Sequence, residues 1–181
     1  VRLYLIRHPQ PAVAPGICYG RTDLDLAADP APIAAALREF LPADALLYSS
    51  PLTRCRQLAE ALHPAPVFDA RLREIDFGDW EMQPWDAIDR AAIDAWAADP
   101  FDFEPPGGET VAALRVRVVD FLATLLPSAA DDVVLVAHAG VIKVCAAELA
   151  GERDWFGLRF DYGAANLIEG GRFLWRNRNG G

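Results

Sequence analysis

His8 and His138 are two of only three histidines in the 181-residue chain, and each stands where an apolar run ends. Arg7-His8 closes the run 1–6, and His138-Ala139-Gly140 follows the run 133–137. A neutral imidazole nitrogen is a nucleophile that can form a covalent phosphoryl intermediate. An arginine beside it offers donors that match phosphate oxygens two at a time. A second histidine can donate a hydrogen bond to another phosphoryl oxygen. Each residue also has an ordinary reading: His8 as a strand-end cap, Arg7 as a surface charge, His138 as a satisfied core histidine. Arg7 and His8 would point to opposite faces of a continuing strand, so sharing one anion requires the strand to stop. Pro9 helps stop it, because proline cannot continue a central ladder.

Two further groups fit the same chemistry. Arg54 and Arg56 lie in Ser50-Pro51-Leu52-Thr53-Arg54-Cys55-Arg56, at the start of an expected helix. Helix N-termini attract anions, and position alone leaves either arginine eligible. The stretch 72–81 carries four acids, Glu74, Asp76, Asp79 and Glu81. Cleaving a phosphomonoester needs a proton for the leaving oxygen, and a partly desolvated carboxyl can hold one near neutral pH. Spacing does not choose among the four. His63, before Pro64, reads as a helix C-terminal residue with no chemistry.

These side chains need elements to place them. Strands are expected at 1–6, 45–48, 67–68 and 132–137, and helices at 32–40, 52–62, 85–97, 110–126 and 141–149. Ser50 is the expected N-cap of the second helix, with Pro51 at its first position. Gly151 is the expected stop of the last helix. The segments 167–169 and 172–175 form a hairpin across Gly170-Gly171. The stretch 71–84 has no clear period. Alternating strands and helices give an α/β class: three α/β/α layers around a mostly parallel sheet, in one domain spanning 1–181. In such sheets ligands bind beyond the carboxyl ends of the strands.

Composition narrows the function. The net charge of −9 argues against non-specific nucleic-acid binding, while local arginines still permit an anionic substrate. No apolar stretch approaches the roughly 20 residues of a membrane helix, and no signal-peptide pattern opens the chain. Cys18, Cys55 and Cys145 have neither metal-ligand nor disulfide spacing. The expectation is a cytoplasmic protein acting on a small phosphorylated metabolite, with no metal and no cofactor. Oligomeric state is not legible.

Together these features resemble the histidine phosphatase superfamily, the phosphoglycerate-mutase-like group, over most of the chain from Arg7 to about Lys143. The resemblance implies that His8 is the phosphorylated nucleophile. It implies that Arg7, Arg54 and His138 bind the phosphoryl group, and that Glu74 is the acid. A finer resemblance, to α-ribazole phosphatases of cobalamin biosynthesis, rests on Arg7-His8-Pro9 and Cys18-Tyr19-Gly20-Arg21-Thr22-Asp23. It implies a further phosphate contact from Arg21 and α-ribazole 5′-phosphate as substrate. The chain departs from the wider family in having Pro9 after the nucleophile and Met82 after Trp80-Glu81, where glycine is usual. Competing readings are a broad-specificity metabolite phosphatase, a phosphoglycerate mutase and a phospho-ligand binding module without turnover. The short chain leaves little room for a mutase's shielding insertions. The presence of both His8 and Glu74 speaks against the binding module.

Overall fold

A computed structural model describes residues 1–125 and 130–180. Its centre is a six-stranded sheet in the order β3-β2-β4-β1-β5-β6. β1 (Arg2–Arg7), β2 (Leu46–Ser49), β3 (Val67–Phe68) and β4 (Asp132–Ala137) run parallel, and β5 (Ala165–Glu169) and β6 (Arg172–Arg178) form an antiparallel hairpin at one edge. The helices are α1 (Ala31–Arg38), α2 (Thr53–Leu62), α3 (Arg90–Ala98), α4 (Val111–Leu125) and α5 (Ala139–Ala150).

The period-two side-chain alternation of a strand explains why the sheet is covered on both faces. Leu3 and Leu5 of β1 join Val133 and Leu135 of β4 in a core with α4 and α5. Tyr4 and Ile6 join Val134 and Val136 in a second core with α1 and α2. This is the expected three-layer α/β/α architecture. Among the described residues no helix is long and apolar enough to cross a membrane.

Several local expectations need correction. Ser50 does not cap α2 and Pro51 does not open it. Leu52 occupies the cap position without a side-chain bond, and Asp23 from a distant loop takes over. The Asp23 carboxylate accepts from the Thr53 N–H at 2.7 Å and from its hydroxyl at 3.0 Å. The helix expected over 85–97 is two pieces, a 3₁₀ turn at Trp85–Ala87 and then α3. Asp89 separates them by accepting from Ala92 N at 3.1 Å, and so starts the helix afresh. α4 covers most of the expected 110–126; the expected last residue, Leu126, lies outside the described residues. Gly151 ends α5 with φ 69°, as a left-handed C-cap should.

Candidate active site

The register of β1 and β4 brings the two histidines together. Arg7 pairs with Ala137, so the next residue of each strand leaves the sheet at the same edge. His8 N donates to Ala137 O at 3.0 Å, and the His8 and His138 rings lie 5.2 Å apart. β2 ends alongside: Ser50 N donates to Val136 O at 3.0 Å, and α2 then carries Arg54 inward. Three parallel strands therefore deliver His8, Arg54 and His138 to one place.

His8 is only 2% exposed. Its Nδ1 lies 2.7 Å from the Pro9 carbonyl oxygen. A carbonyl can only accept, so Nδ1 carries the proton and the neutral ring leaves Nε2 bare. Burial pushes the His8 pKa well below its ordinary value, and the Arg54 charge adds to that. His138 is fully buried and shifted down for the same two reasons, in the same order. The Ser50 hydroxyl lies 2.8 Å and the Cys55 sulfur 3.4 Å from His138 Nε2. Burial raises the Cys55 thiol well above its usual range, so it stays protonated. The Ser50 hydroxyl can donate to Nε2 or accept from it, according to which ring nitrogen carries the His138 proton.

The two arginines separate by burial. Arg54 is completely buried, donating to Thr22 O at 2.7 Å and to Gly20 O. Arg56 stays on the helix surface beside Glu60 and Phe68. Arg7 donates to Phe160 O at 2.8 Å and lies 3.9 Å above the Tyr162 ring. The Nε atoms of Arg7, Arg21 and Arg54 are buried with no hydrogen-bond partner. Buried donors of this kind call for an acceptor, and a phosphoryl oxygen is one.

The four acids also separate. Glu74 is 9% exposed, accepting from Ile75 N at 2.9 Å and from Gly140 N at 3.0 Å, two residues beyond His138. Asp76 accepts from Gly78 N at 2.8 Å. Asp79 is exposed. Glu81 clasps the loop before the second strand, accepting from Gly20 N at 3.0 Å and from Thr22 N at 2.7 Å. Only Glu74 reaches the histidine turn. Arg117 of α4 holds that segment by donating to the carbonyls of Arg71, Arg73 and Glu74. Arg21 is placed differently: its guanidinium meets Glu109 at 3.3 Å and Asp76 at 3.9 Å. His63 ends α2 and accepts from Ala65 N at 3.1 Å, clear of this chemistry.

Tyr19 and Tyr162 escape the sequence reading. Their hydroxyls are 2.6 Å apart, and the Tyr162 ring lies 5.6 Å from His8. Tyr162 arrives from the irregular stretch between α5 and β5, which carries no pattern that announces it. Lys143 is a miss that a signal could have caught, being one helical turn beyond Ala139. With Arg7, Arg159 and Tyr162 it lines a cavity of about 570 Å³ next to the histidine turn.

A bare imidazole nitrogen among buried guanidinium groups, at the carboxyl edge of a parallel sheet, defines a phosphoryl-handling α/β protein. The chain belongs to the histidine phosphatase superfamily (branch 1), whose family model matches residues 3–176. It is a phosphatase. It is 30% identical to the adenosylcobalamin/α-ribazole phosphatase of Escherichia coli, over 93% of this chain and 90% of that protein. It is 33% identical to the glucosyl-3-phosphoglycerate phosphatase of Mycolicibacterium vanbaalenii, over 83% of this chain and 74% of that protein. The crystal structure of the α-ribazole phosphatase from Shigella flexneri superposes with a TM-score of 0.83 at 27% identity, covering 99% of this chain and 96% of that one.

Proposed function

We propose that the protein is a metal-independent phosphomonoesterase that works through a phosphohistidine at His8. His8 Nε2 attacks phosphorus in line, and the bond from phosphorus to the leaving oxygen breaks. Glu74 gives that oxygen its proton. The resulting carboxylate then takes a proton from water, whose oxygen attacks the phosphohistidine and restores Nε2. Arg7, Arg54 and His138 hold the non-bridging oxygens throughout. Catalysis of this kind is mainly positioning and electrostatic stabilisation. Arg21, engaged by Glu109 and Asp76, contributes through longer-range charge.

The observation that carries this reading is the Nδ1–H bond from His8 to Pro9 O at 2.7 Å. It fixes the tautomer a nucleophile needs, and the lowered pKa keeps the ring neutral. The direct test is His8→Ala. Turnover should vanish while thermal unfolding still shows a folded protein; retained turnover would refute the role.

The substrate is a small phosphorylated metabolite. α-Ribazole 5′-phosphate is the finer candidate, supported by the Cys18–Asp23 loop and by the similarity to the Escherichia coli enzyme along most of both chains. A second candidate class is a phosphorylated organic acid. The similarity to the glucosyl-3-phosphoglycerate phosphatase of Mycolicibacterium vanbaalenii supports it, and so do the cations in the cavity beside Arg7.

A further inference from the structure

The cavity of about 570 Å³ shares Arg7 with the phosphoryl site and Ala139 with the turn that follows His138. A phosphate held by Arg7 would therefore lie at the edge of this cavity. Two more cations line the cavity, Lys143 and Arg159. Among the described residues neither forms an ion pair. Lys143 is half-buried on α5, with its ammonium 5.3 Å from the Trp155 ring. Glu74 and Asp154 feel its charge but stop short of contact, and Asp154 is engaged by Gly157 N at 2.8 Å. Asp161, exposed at the rim, is the lining acid.

A half-buried ammonium without a counter-ion is costly. Burial lowers the Lys143 pKa, the Glu74 charge opposes that, and Arg7 and Arg159 push it down further. An anion entering the cavity would offset the repulsion from Arg7 and Arg159 and give the half-buried ammonium a contacting partner. A neutral leaving group would do neither.

We propose that Lys143 and Arg159 select a phosphomonoester whose leaving group carries its own anion, a carboxylate close to the ester oxygen. This rests on the phosphohistidine reading and identifies the leaving group of that same site. Lys143 supplies the buried charge, and Arg159 supplies a planar donor pair suited to a carboxylate. The same geometry disfavours α-ribazole 5′-phosphate, whose leaving group is uncharged.

The test compares glycerate 3-phosphate with glycerol 3-phosphate, alkyl esters that differ chiefly in the carboxylate, and adds α-ribazole 5′-phosphate. The purified protein should show a kcat/KM about tenfold or more higher for the acid than for either uncharged leaving group, as one charge-assisted hydrogen bond provides. Lys143→Met and Arg159→Met should each shrink that ratio, chiefly by raising KM for the acid. Rescue of the ratio by Lys143→Arg would show that charge, not packing, is responsible. Equal kcat/KM for acid and alcohol esters, or a preference for α-ribazole 5′-phosphate, would overturn the proposal. Samples quenched in alkaline denaturant, which spares the acid-labile P–N bond, are assayed for phosphohistidine in parallel. Phosphoenzyme without preference for the acid defeats this proposal alone, and absence of phosphoenzyme with every ester defeats the mechanism beneath it.

Discussion

Glu74 occupies the space that a side chain at position 140 would need. Gly140 N donates to Glu74 Oε2 at 3.0 Å, and a Cβ on Gly140 would overlap Glu74 Oε1. The acid and the turn after His138 are therefore fitted to each other, and glycine is required there for close approach rather than for its backbone freedom. Gly140→Ala should push the carboxylate aside and cost about 1–3 kcal/mol through overpacking. Thermal unfolding and turnover of an alkyl phosphate should both fall. Unchanged activity in a folded variant would show that the carboxylate's position is immaterial.

Glu74→Gln keeps the shape and removes the acid. Phosphorylation by a poor leaving group should slow by on the order of 10²–10⁴-fold, with a much smaller effect for p-nitrophenyl phosphate. Single-turnover kinetics isolate that step, because Glu74 is also proposed to assist water in the second. Equal losses on both substrates would assign Glu74 a structural role instead.

Met82 stands where the wider family usually has glycine, and it adopts φ 65°, in the left-handed region. Its N–H is pinned to Cys18 O at 2.7 Å, so the loop pairing holds the strained conformation in place. Left-handed backbone costs an ordinary residue about 1–2 kcal/mol. Met82→Gly should raise the unfolding midpoint by roughly 1 kcal/mol in stability, as read by denaturant titration. A lower midpoint would mean that the exposed side chain contributes more than the strain removes.

The pH dependence has a definite sign. The pKa values of His8 and His138 are lowered, chiefly by burial and then by Arg54. Below the ordinary value of 6.5 the unfolded chain takes up protons that the native state refuses. Stability should therefore be complete above that pH and fall as pH drops toward the native values. The loss is at most about 1.4 kcal/mol per pH unit for each histidine. Unfolding midpoints followed from about pH 7.5 to about pH 5 should fall less steeply in His138→Asn than in the unaltered protein. Parallel curves would contradict this origin.

The sequence exposed the parts of the site that strands deliver directly. Arg7-His8 and His138 sit at the ends of apolar runs, and a parallel sheet puts such ends on one edge. That β1 and β4 are neighbours was not legible, because the strands are far apart in sequence and pair only through tertiary contact. The acids of 72–81 could not be sorted, since the segment folds as 3₁₀ turns without a period. Contacts from Gly140 and from the Gly20–Thr22 loop separate Glu74 from Glu81. Ser50 looked like a helix cap but serves His138, while Asp23 supplies the capping oxygen from thirty residues away.

The central claim is that phosphorus passes through His8. The most direct test is rapid acid-sparing quench of turnover with a ³²P-labelled phosphomonoester, followed by peptide mapping by mass spectrometry. The account predicts an acid-labile label on His8, present in Glu74→Gln and absent in His8→Ala. Label on His138 or His63, or turnover with no labelled histidine at any time, would contradict it.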